Sequence, residues 1–298
     1  MQNLQTLFDW IRFFTSQFQR HELYYGHGTD NAFDEAVALV LGLLHLPYDW
    51  PQSAWHTRLT DEEKQSLIEA MQKRVVDKIP VPYLTNRTLY GGLEFYVDER
   101  VLIPRSPIVE LIEKNYAPYH QGEVHRILDL CCGSGCIGLV ALSHQPEASL
   151  VLSDIDADAL EVAAINAKRF GVEDWVEIVQ GDGLSAVEGK FDVILCNPPY
   201  VEEEEMEEIA EEYHHEPRHA LVSGADGLDF TRRLLREAAH YLQDDGILIL
   251  EVGMTGQLLE EAFPECDFDW VSFERGGVGV CVIRADELHA WNLAGWLD

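Results

Sequence analysis

Apolar residues recur at helical spacing along the first part of the chain, then give way to short continuous apolar runs between polar and glycine-rich breaks. Leu4, Leu7, Phe8, Ile11, Phe14 and Phe18 fall on one face of a predicted first helix. The polar break YYGHGTDN follows, and Asp30 or Asn31 is placed to cap a second helix, AFDEAVALVLGLLHL, that stops at Pro47. A third opens at Thr60, where Thr-Asp-Glu-Glu is a capping box, runs toward Val76 and is ended by Pro80 and Pro82. Residues 83–103 alternate aromatic or branched apolar residues with polar ones around Gly91-Gly92, the pattern of a hairpin-like connector.

From about residue 107 the texture becomes strand–helix alternation. RILDL (126–130), SLVLSDI (149–155), VEIVQGD (176–182), FDVILCN (191–197), GILILEVG (246–253), DWVSFE (269–274) and VGVCVIR (278–284) read as strands. The earlier ones are continuous apolar runs, as parallel strands covered on both faces require. DALEVAAINAKRFG and TRRLLREAAHYL supply helices between them. The expected architecture is α/β, a doubly wound and mostly parallel seven-stranded sheet whose last two strands pair antiparallel. The chain divides into an N-terminal helical region (1–82), a connector (83–106) and a sheet domain (107–298).

Composition narrows the class. A chain of 298 residues, 47% hydrophobic, can bury a large core. No apolar run approaches the roughly twenty residues of a membrane-spanning helix, and the start, MQNLQTLFDWIRFF, lacks the layout of a secretory leader. Cys131, Cys132, Cys136, Cys196, Cys266 and Cys281 form neither a disulfide framework nor paired C-x-x-C metal sites, so the chain reads as cytoplasmic, with reduced thiols. Acids outnumber bases by 53 to 21, a net charge of −32 that repels nucleic-acid phosphate and favours a basic partner. Lysine scarcity, six against fifteen arginines, leaves salt adaptation as a second reading of that charge.

In an open α/β sheet, ligands sit beyond the carboxyl ends of the strands, near the topological switch point. Four such ends carry useful chemistry. DLCCGSGCIGL (129–139) ends a strand, turns through Gly133 and Gly135 and starts a helix near Cys136, where backbone N–H groups approach a ligand. Asp154, about twenty residues past the turn, is placed to accept from ribose hydroxyls, with Asp156 as the alternative helix cap. Asp182, between Gly181 and Gly183, is positioned to receive an adenine amino group, or is turn chemistry alone.

The fourth end is Asn197, Pro198, Pro199 and Tyr200. Two prolines fix the backbone and leave outward carbonyls. The Asn oxygen and a proline carbonyl can accept both hydrogens of a planar –NH₂ group, and Tyr200 can lie against its face. That suits methylation of an sp² nitrogen by a methyl sulfonium, where two acceptors raise electron density on nitrogen and aim it. A plain strand-to-loop turn explains the prolines but not the flanking Asn and Tyr.

From about residue 83 onward the chain resembles the protein-glutamine N-methyltransferase family. The matching pieces are IPR (103–105), DLCCGSGCIGL, Asp154, the GDG turn, NPPY, EPRHAL (216–221) and EVG (251–253). The N-terminal segment LYYGHGTDNAFDEAVALVL resembles the branch that modifies ribosomal protein L three of the large subunit; the other main branch methylates peptide release factors. The resemblance implies a Rossmann-like class I methyltransferase domain, S-adenosylmethionine as cofactor with S-adenosylhomocysteine as product, no metal, and a basic protein substrate selected by the N-terminal helices. It places Cys131, Cys132, Gly133, Ser134 and Gly135 with the methionine part of the cofactor, and counts Asp129 and Asn197 among the cofactor-binding residues. Asp154 falls with the ribose, Asp182 and Gly183 beside the adenine, and residues 197–200 with the glutamine amide. Many relatives carry glycine and a small polar residue where this chain has Cys131 and Cys132.

Rival readings exist. His215-Glu216-Pro217-Arg218-His219 matches the zinc motif H-E-x-x-H, but Pro217 breaks the helix that motif needs. An enzyme methylating adenine in DNA shares the NPPY chemistry but needs a basic groove. A non-catalytic, cofactor-binding ribosome assembly factor is a third reading. Eight of the eleven residues from Glu202 to Glu212 are Glu, either a solvated face or a surface that steers a basic substrate. His21, His27 and His45 are spaced too irregularly for ligands, His27 between two glycines reads as loop chemistry, and Trp10, Trp50 and Trp55 read as packing. Arg105 is either a pocket organiser or an ordinary ion-pair partner.

Overall fold

The first three helices begin where the sequence supplies side-chain caps. In the computed structural model, which describes residues 3–297, α1 (Leu7–Arg20) starts from a reciprocal capping box between Thr6 and Asp9. Met1 and Gln2, at the head of the segment read as no leader, and Asp298 lie outside the described residues. Leu7, Ile11, Phe14 and Phe18 are buried as expected, with Trp10 beside them. Phe8 is not; it lies off that stripe, exposed and stacked on Trp55 with ring centroids 5.9 Å apart. α2 (Ala32–Leu43) is capped by Asn31, whose side chain accepts from the Phe33 and Asp34 N–H groups. α3 (Asp61–Val76) has the expected Thr60–Glu63 capping box. These helices share an apolar cluster of their own, from Leu7 to Val81.

The two prolines that end α3 also start a short helix, α4 (Val81–Thr85), because proline costs no hydrogen bond in a first turn. The connector is therefore helical at its start, and the hairpin is confined to β1 (Thr88–Tyr90) and β2 (Leu93–Phe95). Gly91 and Gly92 turn it at φ +56° and +76°, the left-handed pair that a two-residue hairpin requires. Tyr90 and Phe95 pack into the same core as α5 (Val109–Glu113).

The main sheet has seven strands: β3 (Arg126–Leu130), β4 (Ser149–Asp154), β5 (Val176–Gln180), β6 (Phe191–Cys196), β7 (Leu242–Glu251), β8 (Asp269–Trp270) and β9 (Val280–Arg284). Their order is β5-β4-β3-β6-β7-β9-β8; the first five run parallel, and β9 runs antiparallel to both of its neighbours, β7 and β8. The last two strands pair as expected, but β9 inserts next to β7 and leaves β8 at the edge with only two residues. Helices α6 (Cys136–His144), α7 (Ala157–Phe170), α8 (Asp229–Ala238), α9 (Gly256–Ala262) and α10 (Ala285–Ala294) complete the wrap. Only a short 3₁₀ turn joins β5 to β6. One apolar core lies on each face of the sheet. The order in which strands are added reverses at β3, which pairs with both β4 and β6, so the switch point falls at the carboxyl ends of these three strands.

Candidate active site

At that switch point lies a cleft of about 270 Å³. Its floor is the turn after β3. Cys131 leaves the strand at φ +59°, the left-handed region, and the turn is tied down by Cys132 N–H donating to the Ser153 carbonyl at 3.0 Å. Gly133 (φ +52°) donates its N–H to Asp154 Oδ2 at 2.9 Å. A Cβ on Gly133 would meet nothing within 4 Å, so its backbone faces open space, while one on Gly135 would press to 2.9 Å from Leu152. Gly135 then leads into α6 at φ +74°.

Asp154 ends β4 in the cleft wall, accepting the Gly133 and Asp156 N–H groups, the latter at 3.0 Å. Burial raises its carboxyl above the usual range, and these two hydrogen bonds oppose that. Each oxygen keeps a lone pair for a hydroxyl donor. Asp156 caps α7 by accepting the Asp158 N–H. Ile155, between them, lines the cleft with its large side chain 58% exposed, opposite chemistry to the polar floor and suited to a flat apolar ring. Asp182 and Gly183 line the far end. The Asp182 carboxylate is forked by Arg233, which holds its pKa below the usual range.

Asp129 is the exception among the expected contacts. Side chains alternate along β3, so Leu128 and Leu130 face one core while Asp129 turns beneath α6. There it accepts the Gly138 N–H at 2.7 Å, is almost wholly buried, and does not line the cleft. Burial pushes its carboxyl well up. It is a brace for the turn, not a wall of the site.

Residues 197–200 follow β6 directly. Asn197 and Pro199 line the cleft; Pro198 and Tyr200, with Asn197 again, line an adjoining recess beside Arg105 and Leu221. Among the described residues the Asn197 side chain makes no hydrogen bond, which leaves its oxygen available as an acceptor. The loop is held by Tyr200 and Val201 N–H groups donating to the Leu221 carbonyl at 3.0 and 2.7 Å.

Three residues here were missed or under-read from sequence. Ser106 lines the cleft beside Arg105. Glu251 lies buried beneath Tyr200; in sequence it showed only as the carboxylate closing the apolar run ILILE and as the head of the EVG segment, with no role attached. Glu216 is buried and binds Arg105 through both oxygens, which settles Arg105 as an ion-paired residue on the cleft wall.

The H-E-x-x-H match does not form a metal site. Residues 211–215 are a 3₁₀ turn, Glu216 is extended, and a second 3₁₀ turn starts after Pro217. His215 Nε2 contacts the Asp77 carbonyl at 2.7 Å, while His219 pairs with Asp156 at 2.9 Å. The glutamate run is likewise no helix; Glu203, Glu204, Glu205, Glu207, Glu208 and Glu211 are exposed around a buried Met206. Its last member, Glu212, is buried and accepts from Arg74 of α3 at 3.0 Å, and Arg74 also donates to Glu35 at 2.5 Å. His27 packs on Tyr213 at 4.6 Å, so the loop after NPPY is fastened to the N-terminal helices. A second, larger cleft of about 1210 Å³ runs along this seam, from Tyr24, Asp30 and Asp34 to Ser106 and Arg275.

Residues 110–227 match the family model Methyltransferase small domain. The ribosomal protein uL3 glutamine methyltransferase of Neisseria meningitidis serogroup A / serotype 4A is 42% identical over 96% of this chain and 95% of that protein. The chain belongs to the ribosomal protein uL3 glutamine methyltransferase family. The Neisseria gonorrhoeae member is also 42% identical, over 96% of this chain and 97% of its own length. The solved catalytic domain of hMettl16, in complex with MAT2A 3′UTR hairpin 6, superposes with a TM-score of 0.50 at 14% identity, covering 75% of this chain and 81% of that one. That likeness concerns the fold, which is the class I methyltransferase fold. As a member of the family the chain is a methyltransferase, and among the described residues no helix is long and apolar enough to cross a membrane.

Proposed function

We propose that this enzyme transfers a methyl group from S-adenosylmethionine to the side-chain amide nitrogen of a glutamine in ribosomal protein uL3. One observation carries the reading: the unpartnered Asn197 side chain and Pro199 open onto the same cleft as the Gly133 turn and Asp154. Relatives named for this activity match 96% of the chain.

The cofactor, when bound, supplies a methyl on a positively charged sulfur and leaves as S-adenosylhomocysteine. Cys131, Cys132, Gly133, Ser134 and Gly135 would hold its methionine part, Asp154 its ribose, and Asp182 and Gly183 its adenine edge beside Ile155. Asp129 acts behind them, fixing the start of α6. Asn197 Oδ1 and the Pro198 carbonyl accept the two amide hydrogens, with Pro199 stiffening the loop and Tyr200 against the planar group. An amide lone pair is delocalised and weakly nucleophilic. Two acceptors on its hydrogens push electron density back onto nitrogen and hold it in line with the methyl. This nitrogen would accept the methyl of the bound cofactor and release one proton to solvent, while these residues hold the amide hydrogens and aim the nitrogen.

The N-terminal helices, residues 1–82, select the protein. Around the clefts, Arg87, Arg100, Arg105, Arg218, Arg232, Arg233 and Arg275 are each ion-paired to a carboxylate, which suits a basic polypeptide and disfavours nucleic-acid phosphate. The exposed glutamates beside the site carry the same sign. The test is Asn197→Ala: methyl transfer should fall at least a hundredfold, roughly the loss of one preorganised acceptor, with cofactor affinity retained. Turnover near the wild-type level would remove Asn197 from the chemistry.

A further inference from the structure

Glu251 ends β7 directly under the glutamine pocket, and nothing in the reaction above uses it. Its two oxygens serve two different loops. Oε2 accepts the Ser106 hydroxyl at 2.5 Å, and Oε1 accepts the Tyr200 hydroxyl at 3.4 Å. Ser106 Oγ meanwhile accepts the Ile108 N–H at 3.2 Å, so its proton is committed to Glu251. The Tyr200 ring is pressed onto Gly253, where a Cβ would come within 2.5 Å of it, so the ring has little freedom except about its hydroxyl end. One buried carboxylate thus joins the end of β7, the loop carrying Tyr200, and the loop after Arg105 that walls both clefts.

We propose that Glu251 is a positioning residue for methyl transfer, fixing Tyr200 at the amide pocket through its hydroxyl and fixing the adjoining wall through Ser106. The proposal rests on the reading of residues 197–200 as the glutamine pocket. Structural bracing alone does not require a carboxylate here, since burying one is costly unless it is used. The charged and titratable groups that face it are Arg105, Tyr200 and, from β1, Tyr90. Burial raises the Glu251 carboxyl and outweighs Ser106, Arg105 and Tyr200, which lower it, leaving it at about 7. Above that pH the carboxylate accepts from both hydroxyls. Below it, the carboxyl carries its own proton and the long, 3.4 Å contact to Tyr200 loses its anionic acceptor. Turnover should therefore rise with pH through about 7.

The test uses the full-length enzyme with labelled S-adenosylmethionine and purified ribosomal protein uL3, comparing wild type, E251Q, Y200F and the double variant across neutral pH. Glutamine preserves shape and can still accept one hydroxyl. We expect E251Q to lower kcat roughly tenfold, the scale of one charge-assisted hydrogen bond, to leave cofactor Kd unchanged and to erase the inflection near neutrality. Y200F and E251Q should be strongly non-additive. A readout independent of turnover is the Tyr200 ring resonance in ¹³C-tyrosine-labelled enzyme. It should shift with pH about a midpoint near 7 in wild type and stay still in E251Q. A Tyr200 resonance that ignores pH in wild type, or additive losses in the double variant, overturns the proposal. An enzyme silent toward uL3 whose Tyr200 resonance still titrates through Glu251 would instead put the error in the substrate reading, with the Glu251–Tyr200 coupling upheld.

Discussion

Glu216 grips Arg105 through both carboxylate oxygens, at 2.6 and 2.8 Å, and the same carboxylate accepts the Ile103 N–H at 2.9 Å. His27, from the N-terminal region, stands 3.8 Å away on the other side. The IPR segment, the loop after NPPY and the N-terminal helices therefore meet at one buried charge.

That charge has a pH signature. Burial raises the Glu216 carboxyl, but Arg105 and His27 overcome it and hold it at about 2, against an ordinary value of 4.5. A carboxyl with a depressed folded-state pKa stabilises the fold above its unfolded pKa and stops doing so as pH falls through the folded one. The contribution should be complete above about pH 4.5 and fade toward pH 2. E216Q should lose roughly 2–3 kcal/mol at neutral pH, because the Arg105 guanidinium, only a quarter exposed on the cleft wall, loses its charged partner and both charge-assisted hydrogen bonds. Urea unfolding at several pH values checks both points. Equal stability of E216Q and wild type at pH 7 would contradict them.

Arg74 makes the second fastening. It is buried between Glu35 and Glu212 and also donates to the Tyr24 carbonyl at 2.8 Å. Arg74→Met keeps the stem but strands two buried carboxylates. It should cost about 3–5 kcal/mol and raise KM for the protein substrate, because the loop from Glu212 onward is no longer held to α3. Cofactor Kd should not move. Calorimetric cofactor titration beside steady-state kinetics separates the two effects.

Steering by the exposed glutamates is a matter of encounter rate. Replacing Glu203, Glu204, Glu207 and Glu208 with glutamine should raise KM several-fold at low salt and much less at about 0.5 M, where the screening length shrinks to a few ångströms. kcat should hold. A salt profile identical to wild type would assign these residues to solvation.

Much of the sheet was legible because buried parallel strands must be apolar throughout, and each functional loop sits where such a run stops. Asp154 and Asn197 were singled out that way, and both line the cleft. Asp129 was misplaced for a local reason: it has the right position in sequence, but alternation along β3 turns its carboxylate under α6 to Gly138. Glu251, at the end of β7, and Ser106 and Glu216, on two loops, lie far apart in the chain, and only the closed fold brings them to Tyr200 and Arg105. Pro82 was read as a stop and is a start, since proline ends one helix and fits the first turn of the next. The buried end of the glutamate run was hidden by composition, which cannot distinguish Glu212, paired with Arg74, from its solvated neighbours.

The central claim is methyl transfer to a glutamine amide in uL3. The most direct test incubates the enzyme with labelled S-adenosylmethionine and, separately, ribosomal protein uL3, a peptide release factor and DNA, then locates the label by peptide mass spectrometry. The account predicts one added methyl on a single glutamine side chain of uL3, with little label on the release factor or DNA. Label on the release factor or on adenine, with uL3 unmodified, would contradict it.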